Sequence, residues 1–318
     1  MKSTQSKIFL ATCRAVPDLS ADDRALAELI RDRGFDVRPL IWDDPNPVFH
    51  DTAAVVVRSC WDYHLKHQDF LHWTESLEKK GVTICNSSAL IDWNHDKRYL
   101  LELQSAGIQI PPTLWLERGS NAQLKRIMSQ AGWSDVVVKP SVSATSWRTF
   151  CVSFDQAAEF QSEFEKLLLQ GRTMVQKFIP EVQTQGEWSF IFFDRQFSHA
   201  VLKRASADDF RVQDEFGGSV DWQATPTGNL ISQAKAALDS VKGEPLYARV
   251  DGVELGGELC LMELELIEPA LFLQRTNRAI ERFAEAICAA VESANSGNRI
   301  GRGNGNANNS SPRPLIRE

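Results

Sequence analysis

The sequence predicts a mixed chain, α/β in its first third and α+β beyond. Three observations carry this. Over residues 7–85 short strands alternate with helical segments, and runs such as residues 7–12 and 53–58 are too continuously apolar for a one-sided sheet. After Gly107, Ile110-Pro111-Pro112-Thr113 interrupts the alternation and opens a new unit. Near the C-terminus a hairpin alternates charged and apolar residues, the mark of a half-buried antiparallel pair.

Residues 7–12 read as a buried strand. Residues 21–33 have helical spacing, with Ser20 as N-cap and Gly34 as the stop. Strands follow at 35–41 and 53–58, a helix at 68–80 ending at Gly81, and a strand at 82–85. This βαβ order implies a parallel sheet with helices on both sides. No G-x-G-x-x-G follows the first strand, so a dinucleotide site is not supported. Residues 96–106 form a helix stopped by Gly107. The second unit reads strand 113–116, helix 121–130, strand 136–139, helix 155–169 and strand 174–179. A hairpin of 187–193 and 198–203 turns at Asp194-Arg195-Gln196, a helix covers 234–241, and a helix at 277–291 closes the fold. Residues 295–318, rich in Gly, Asn, Ser and Arg, read as a disordered tail. The expected division is 1–95, 96–175, 176–294 and the tail.

The 318 residues are 43% hydrophobic and 24% charged, ordinary for a soluble globular protein. A net charge of −7 argues against a nucleic-acid surface. No apolar run has transmembrane length and the first residues lack a signal peptide's apolar region, so a cytoplasmic protein is expected. The six cysteines form no C-x-x-C pair and read as reduced thiols, mostly core fillers.

The closing hairpin carries the chemistry. Period-two alternation puts Arg249 and Asp251 on one face of its first strand, and Glu263 and Glu265 on one face of the second. Val250, Met262, Leu264 and Leu266 are left for the core. Three close carboxylates resist ionising together, and a divalent cation removes that conflict. Oxygen-only ligands favour Mg²⁺ or Mn²⁺. The competing reading is a solvated face of alternating charge. Lys139 follows three valines, so its charge needs a partner or a route to solvent. Arg58, Trp61, Asp62 and Tyr63 follow a strand's C-terminal end, where open parallel sheets bind ligands. An arginine for a carboxylate and an acid for an amine suit an amino-acid-like substrate; a structural Arg–Asp pair beside a buried Trp is the alternative.

Taken in order, these pieces resemble the ATP-grasp superfamily over most of the chain. Lys97 opens the middle unit, and Val137-Val138-Lys139-Pro140 stands where the second nucleotide lysine is expected. Gln176-Lys177-Phe178-Ile179 resembles the hinge that meets adenine, and Gly186-Glu187-Trp188-Ser189 the acidic turn after it. Asp209-Phe210-Arg211-Val212-Gln213 with Gly217-Gly218 resembles the F-R-x-N…G-G run of glutathione-synthetase-like members. Arg58–Tyr63, Trp93–Leu100 and Met262–Pro269 resemble the subgroup that holds the D-cycloserine-forming cyclo-ligase.

The resemblance implies an ATP-grasp fold behind a Rossmann-like N-terminal domain, and an ATP-dependent carboxylate–amine or aminooxy ligase working through an acyl phosphate. It implies ATP held by Lys97, Lys139, Lys203 and the hinge, with Glu187 or Glu181 on the ribose. Mg²⁺ falls to Asp251, Glu263 and Glu265. Arg249 and Arg211 would stabilise developing charge in catalysis. An amino-acid-like small molecule is the expected partner, and a homodimer fits the family. An intermolecular amino-acid or peptide ligase, or a nucleotide-binding protein without turnover, are the alternatives. Two departures stand out. The loop Ser141-Val142-Ser143-Ala144-Thr145-Ser146-Trp147 lacks the usual glycines, and Glu265 replaces the usual metal-strand Asn. His199 reads as structural although it shares a face with Lys203.

Overall fold

The structure is a computed structural model that describes residues 6–45, 49, 52–206, 211, 212 and 217–303. The chain begins with β1 (Lys7–Thr12), α1 (Ala21–Asp32), β2 (Asp36–Ile41), β3 (Thr52–Ser59), α2 (His67–Lys79) and β4 (Thr83–Cys85). These strands form a wholly parallel sheet of order β2-β1-β3-β4, as the alternation predicts. Its two faces follow residue parity. Ile8, Leu10, Ala54 and Val56 pack under α1 through Leu26 and Ile30; Phe9, Ala11, Val55 and Val57 pack on the other side against Phe70 and Leu77 of α2. Ser20 caps α1, its hydroxyl accepting from the Asp23 amide at 3.1 Å.

Two short helices follow, α3 (Ser88–Asn94) and α4 (Tyr99–Ser105), where the sequence predicts one over 96–106. Ser87 caps α3. Between the helices the Lys97 amide donates to the Ser141 carbonyl at 2.9 Å, so Lys97 sits at a junction and not within a helix. The second sheet comprises β5 (Thr113–Leu116), β6 (Asp135–Pro140), β7 (Phe150–Ser153) and β8 (Thr173–Lys177), with α5 (Leu124–Ala131) and α6 (Ala157–Gln170). Its order is β5-β8-β6-β7, antiparallel throughout.

After the short α7 (Glu181–Thr184) come β9 (Glu187–Phe193), β10 (Gln196–Arg204), β11 (Ser219–Asp221), α8 (Gly228–Asp239), β12 (Tyr247–Leu255) and β13 (Glu258–Glu265). They make an antiparallel sheet of order β11-β10-β9-β12-β13. The last helix, α9 (Asn277–Gly303), runs past the Asn295 start of the expected tail; residues 304–318 lie outside the described residues. Phe283, Ile287 and Val291 of α9 join α1 over the first sheet, and Phe283 stacks on Phe193 at 4.7 Å between centroids.

Polar side chains seal the first sheet to the third. Asn86 donates to the carbonyls of Tyr247 and Leu266 at 3.0 and 2.7 Å, and accepts from the Leu246 amide at 2.6 Å. Asn94 donates to Leu264 and accepts from Leu266, each at 2.8 Å. The buried Tyr247 hydroxyl lies 2.6 Å from the Val57 carbonyl and 2.8 Å from that of Ile267. Buried amides and hydroxyls need such partners, so these contacts set where the end of β13 meets the end of β3. Among the described residues no helix is long and apolar enough to cross a membrane. Five cysteines are buried free thiols, and Cys151 is exposed.

Candidate active site

A cavity of about 430 Å³ is lined by residues of the second and third sheets, by Trp61 and Tyr63 just past β3, and by the segments that leave the other strands. Its floor is the charged face of the third sheet. Strand register builds this face: Lys203 pairs with Glu187, Ser189 with Asp251, Asp251 with Glu263 and Arg249 with Glu265. The result is one charged row across four strands. The expected hairpin face is therefore met, but its apolar face differs at one residue. The ladder skips between Asp251 and Gly252, so that Glu263 opposes Asp251 while Leu261 opposes Gly252. Met262 is left unopposed by this bulge. It lines the cavity and packs on Ile179, Val182, Val212 and Val253 instead of entering the core beside Leu264.

Each cation of the row has a carboxylate. Lys203 Nζ lies 2.5 Å from Glu187 Oε1 and 3.4 Å from Asp251 Oδ1. Arg249 binds Asp251 through Nε and Nη2, at 3.0 and 2.9 Å to Oδ2, and pairs with Glu265; its Nη1 donates to the Ala270 carbonyl at 3.1 Å. Asp251 also accepts from the Ser189 hydroxyl. Gly186 lets the chain close over this corner: its φ is +93°, and a Cβ there would stand 2.6 Å from the Lys203 carbonyl oxygen.

From above, Lys97 Nζ reaches Glu263 Oε1 at 3.0 Å and donates to the Ser143 carbonyl at 2.6 Å. It thus ties the 141–147 loop to the metal-strand carboxylate. In that loop Thr145 and Ser146 take φ of +49° and +55°, conformations glycine adopts freely. The loop thus takes left-handed conformations without glycines. Lys139, on β6, makes no hydrogen bond or ion pair among the described residues and lines the same cavity.

The electrostatics follow from this crowding. Burial alone would raise Asp251 and Glu263, but the adjoining cations outweigh it: Arg249 and Lys203 lower Asp251, and Lys97 and Lys139 lower Glu263. Glu265 is the reverse case, pushed up to about 7 by burial and by Glu263 and Asp251, against the pull of Arg249. Burial lowers Lys139. Lys203 is raised, burial being outweighed by Asp251 and Glu187.

As a divalent-cation site the donor set has the right chemistry, carboxylate oxygens only, with one carboxyl kept up by burial and by its neighbours' charge. Yet no three such side chains among the described residues converge as ready ligands. Glu263 is turned to Lys97, and Asp251 and Glu265 to Arg249. Binding an ion here requires those carboxylates to exchange partners.

The comparisons with known proteins agree with this architecture. The profile of the D-cycloserine synthetase DcsG N-terminal domain matches residues 8–86. The cycloserine biosynthesis protein DcsG of Streptomyces lavendulae is 28% identical over 284 residues, 84% of this chain and 93% of that protein. The crystal structure of D-cycloserine synthetase DcsG superposes with a TM-score of 0.81 at 25% identity, covering 90% of this chain and 99% of its own. The chain is an ATP-dependent ligase with the ATP-grasp fold, similar to DcsG. D-alanine–D-alanine ligase from Bacillus anthracis shares the fold at TM-score 0.67 and 15% identity, over 93% of this chain and 99% of that one.

In this DcsG-like ligase the cavity gathers most of the side chains expected from the sequence. Lys97, Lys139, Gln176, Lys177, Phe178, Ile179, Glu187, Lys203, Arg211, Arg249, Asp251, Glu263 and Glu265 all line it. Glu181 does not; it starts α7, and Glu187 is the acid on the wall. The hinge amides of Lys177 and Phe178 already donate to the carbonyls of Pro112 and Asp135, at 2.8 and 3.1 Å. Arg211 lies on the wall, while Asp209, Phe210 and Gln213 of its motif lie outside the described residues. His199 holds a structural post: its Nε2 lies 3.0 Å from the Leu271 carbonyl, and burial lowers it to about 4.

The N-terminal cluster divides. Trp61 and Tyr63 line the cavity, but Arg58 and Asp62 do not. Arg58 is buried, pairs with Asp23 at 2.8 Å, and lies over the Tyr247 and Phe283 rings at 5.6 and 5.4 Å. Asp62 accepts from the Trp42 indole at 2.7 Å. The substrate reading of these two residues gives way to a structural one, with Asp23 and not Asp62 as the arginine's partner. Glu268, Asn94 and the Ser143–Ser146 segment also line the cavity and were not among the expected site residues. Only a Glu beside a Pro just past an alternating strand marked Glu268 in the sequence.

Proposed function

We propose that the chain is an ATP-dependent carboxylate–amine or aminooxy ligase that makes a cyclic product of the D-cycloserine type from an O-ureido-D-serine-like acid. The observation that carries this reading is the cavity in which Lys97, Lys139 and Lys203 from separate segments meet Asp251, Glu263, Glu265 and Arg249. Lys139, without an internal partner, and Lys203 would hold the nucleotide phosphates. The hinge at 176–179 would take the adenine edge, and Glu187 the ribose. Asp251, Glu263 and Glu265 would hold Mg²⁺, which when bound neutralises phosphate charge. The units 1–95, 96–175 and 176–294 would then act as substrate domain, small nucleotide lobe and metal-bearing lobe.

In the reaction a substrate carboxylate oxygen attacks the γ-phosphorus, giving an acyl phosphate and ADP. An amine or aminooxy nitrogen then attacks the acyl carbon, phosphate leaves, and the nitrogen gives up its proton; with O-ureido-D-serine the ring nitrogen still carries a carbamoyl group, whose C–N bond water must cleave to carbon dioxide and ammonia to reach D-cycloserine. Arg249 and Arg211 would stabilise the charge on phosphoryl and tetrahedral oxygens. Positioning and charge stabilisation suffice, so no activated Ser or Cys is needed. Among the described residues no helix is long and apolar enough to cross a membrane, which is compatible with a cytoplasmic enzyme.

Mg²⁺-dependent ADP release, measured with O-ureido-D-serine beside D- and L-amino acids, tests this. ADP together with a cyclic product by mass spectrometry is expected. Release only on adding a second amine would assign an intermolecular ligase, as with the D-alanine–D-alanine ligase neighbour. ATP binding without release across the panel would overturn the ligase turnover proposed here.

A further inference from the structure

Glu268 is 8% exposed and lines the cavity, yet its carboxyl makes no hydrogen bond or ion pair among the described residues. Every charged neighbour of the floor is matched: Lys97 with Glu263, Lys203 with Glu187, and Arg249 with Asp251 and Glu265. Three charged side chains on the wall have no such match among the described residues, Lys139, Lys177 and Glu268, and of these Lys177 is exposed. A buried carboxyl with no partner carries an uncompensated desolvation cost, which a ligand's donor would remove.

Its position says which part of a ligand. Glu268 follows β13 by three residues, where Ile267 enters the core beneath the first sheet. It is the foremost charge acting on Tyr63, which follows the C-terminal end of β3, and on Cys60 next to that end. Tyr63 is 4% exposed, lines the cavity, and its hydroxyl likewise has no hydrogen bond among the described residues. Of the lysines on the wall, Lys97 and Lys203 are already paired with carboxylates. Glu268 and Tyr63 offer a carboxyl and a phenol to a group that donates N–H.

We infer that Glu268, with the Tyr63 hydroxyl, forms the subsite for the nitrogen-bearing end of the amino-acid-like substrate. This rests on the ligase reading above and deepens it by assigning one end of the substrate to two named side chains. The carboxyl accepts from an N–H of the substrate, and the phenol supplies a second donor or acceptor. No residue here takes part in bond making; the subsite sets which nitrogen compound is held with its carboxylate toward the lysines.

The test is steady-state ADP release by wild type, Glu268→Gln, Glu268→Leu and Tyr63→Phe, with O-ureido-D-serine and D-serine as probes. For Glu268→Leu the KM for the acid is expected to rise about 10- to 100-fold, the loss of one hydrogen bond to a charged or buried group. The KM for ATP should stay within about twofold, as no phosphate contact is removed. If the bound nitrogen is an ammonium, Glu268→Gln loses as much as Glu268→Leu; if it is an amide-type N–H, Glu268→Gln retains most of the affinity. Should Glu268→Leu fail to fold by its thermal melt, Tyr63→Phe and Glu268→Ala carry the test, Glu268→Gln serving only to tell the kind of nitrogen bound. Active wild type with an unchanged acid KM in the folded variants overturns this assignment alone. No ADP release by wild type with either probe or with the wider amino-acid panel overturns the ligase reading and this assignment with it.

Discussion

Two buried Arg–Asp pairs lie in this molecule, and they do different things. Arg58–Asp23 and Arg249–Asp251 both have Nε–carboxylate distances near the short end, 2.8 Å in the first and 3.0 Å in the second. Around the first, every group is used internally. Asp23 accepts from Ser20 and Ser59, and Arg58 lies over two aromatic rings. Around the second, charge is in surplus: Glu263, Glu265, Lys203 and Glu187 crowd the same face, and the face opens onto a cavity. An ion pair by itself is therefore no sign of a site. Surplus like charge held at a cavity wall is, because the protein alone cannot neutralise it cheaply.

The largest effect should come from breaking the surplus. Asp251→Asn and Glu263→Gln are each expected to lower Mg²⁺-dependent ADP release by more than about 100-fold while the protein stays folded, since they remove groups that would hold the ion. Retention of release in Glu263→Gln would sink the metal assignment. Next is the structural pair. Asp23→Ala leaves the Arg58 guanidinium buried without its carboxylate and should cost about 3–5 kcal/mol of stability, read from denaturant unfolding. Protein that remains folded should keep its KM for ATP; a stability loss under about 1 kcal/mol would erase the contrast.

A smaller effect separates the pairs by pH. Glu265 is pushed up to about 7, above its value in an unfolded chain, so its contribution to stability is complete below the ordinary carboxylate range and is lost as pH rises through about 7. Asp251 and Glu263 are lowered, and their contributions hold above the ordinary range. Without metal, the melting temperature is expected to fall by a few degrees between about pH 6 and about pH 8, and Glu265→Gln to flatten that slope. A rise over the same interval would contradict the crowding described here. The smallest effect concerns the 141–147 loop. Thr145→Gly relieves a left-handed residue, gaining up to about 1 kcal/mol less the added freedom of glycine in the unfolded chain. A clear drop in melting temperature would show that the Thr145 side chain holds the loop.

Much of the fold was legible because periodicity reports burial. The apolar runs of β1 and β3 announce a sheet covered on both faces, and parity along them sorts into two packed layers. The charged face of β12 and β13 follows from alternation alone, but the turn at Gly256-Gly257 by itself would set Asp251 against Met262, and the opposition of Arg249 to Glu265 and Asp251 to Glu263 needs the bulge as well. Three details were beyond reach. The bulge that frees Met262 is a local ladder fault with no compositional mark. The break between α3 and α4 that places Lys97 depends on the carbonyl of Ser141, distant in sequence. The partner of Arg58 sits 35 residues away on α1, so nothing beside Arg58 in the sequence distinguishes it from a ligand-binding arginine.

The sequence by itself determined the order of strands and helices, the face on which the carboxylates gather and the residue types available for phosphate and metal, since each depends on neighbours within one element. Tertiary structure alone decided which of those charges are consumed by the protein and which are left over. Arg58 is consumed on Asp23, Asp62 is bound to Trp42, and Glu268, marked in the sequence only by its place before a Pro past β13, is left facing a cavity. Satisfaction of a buried polar group is a property of everything packed around it, and those surroundings come from segments far apart along the chain.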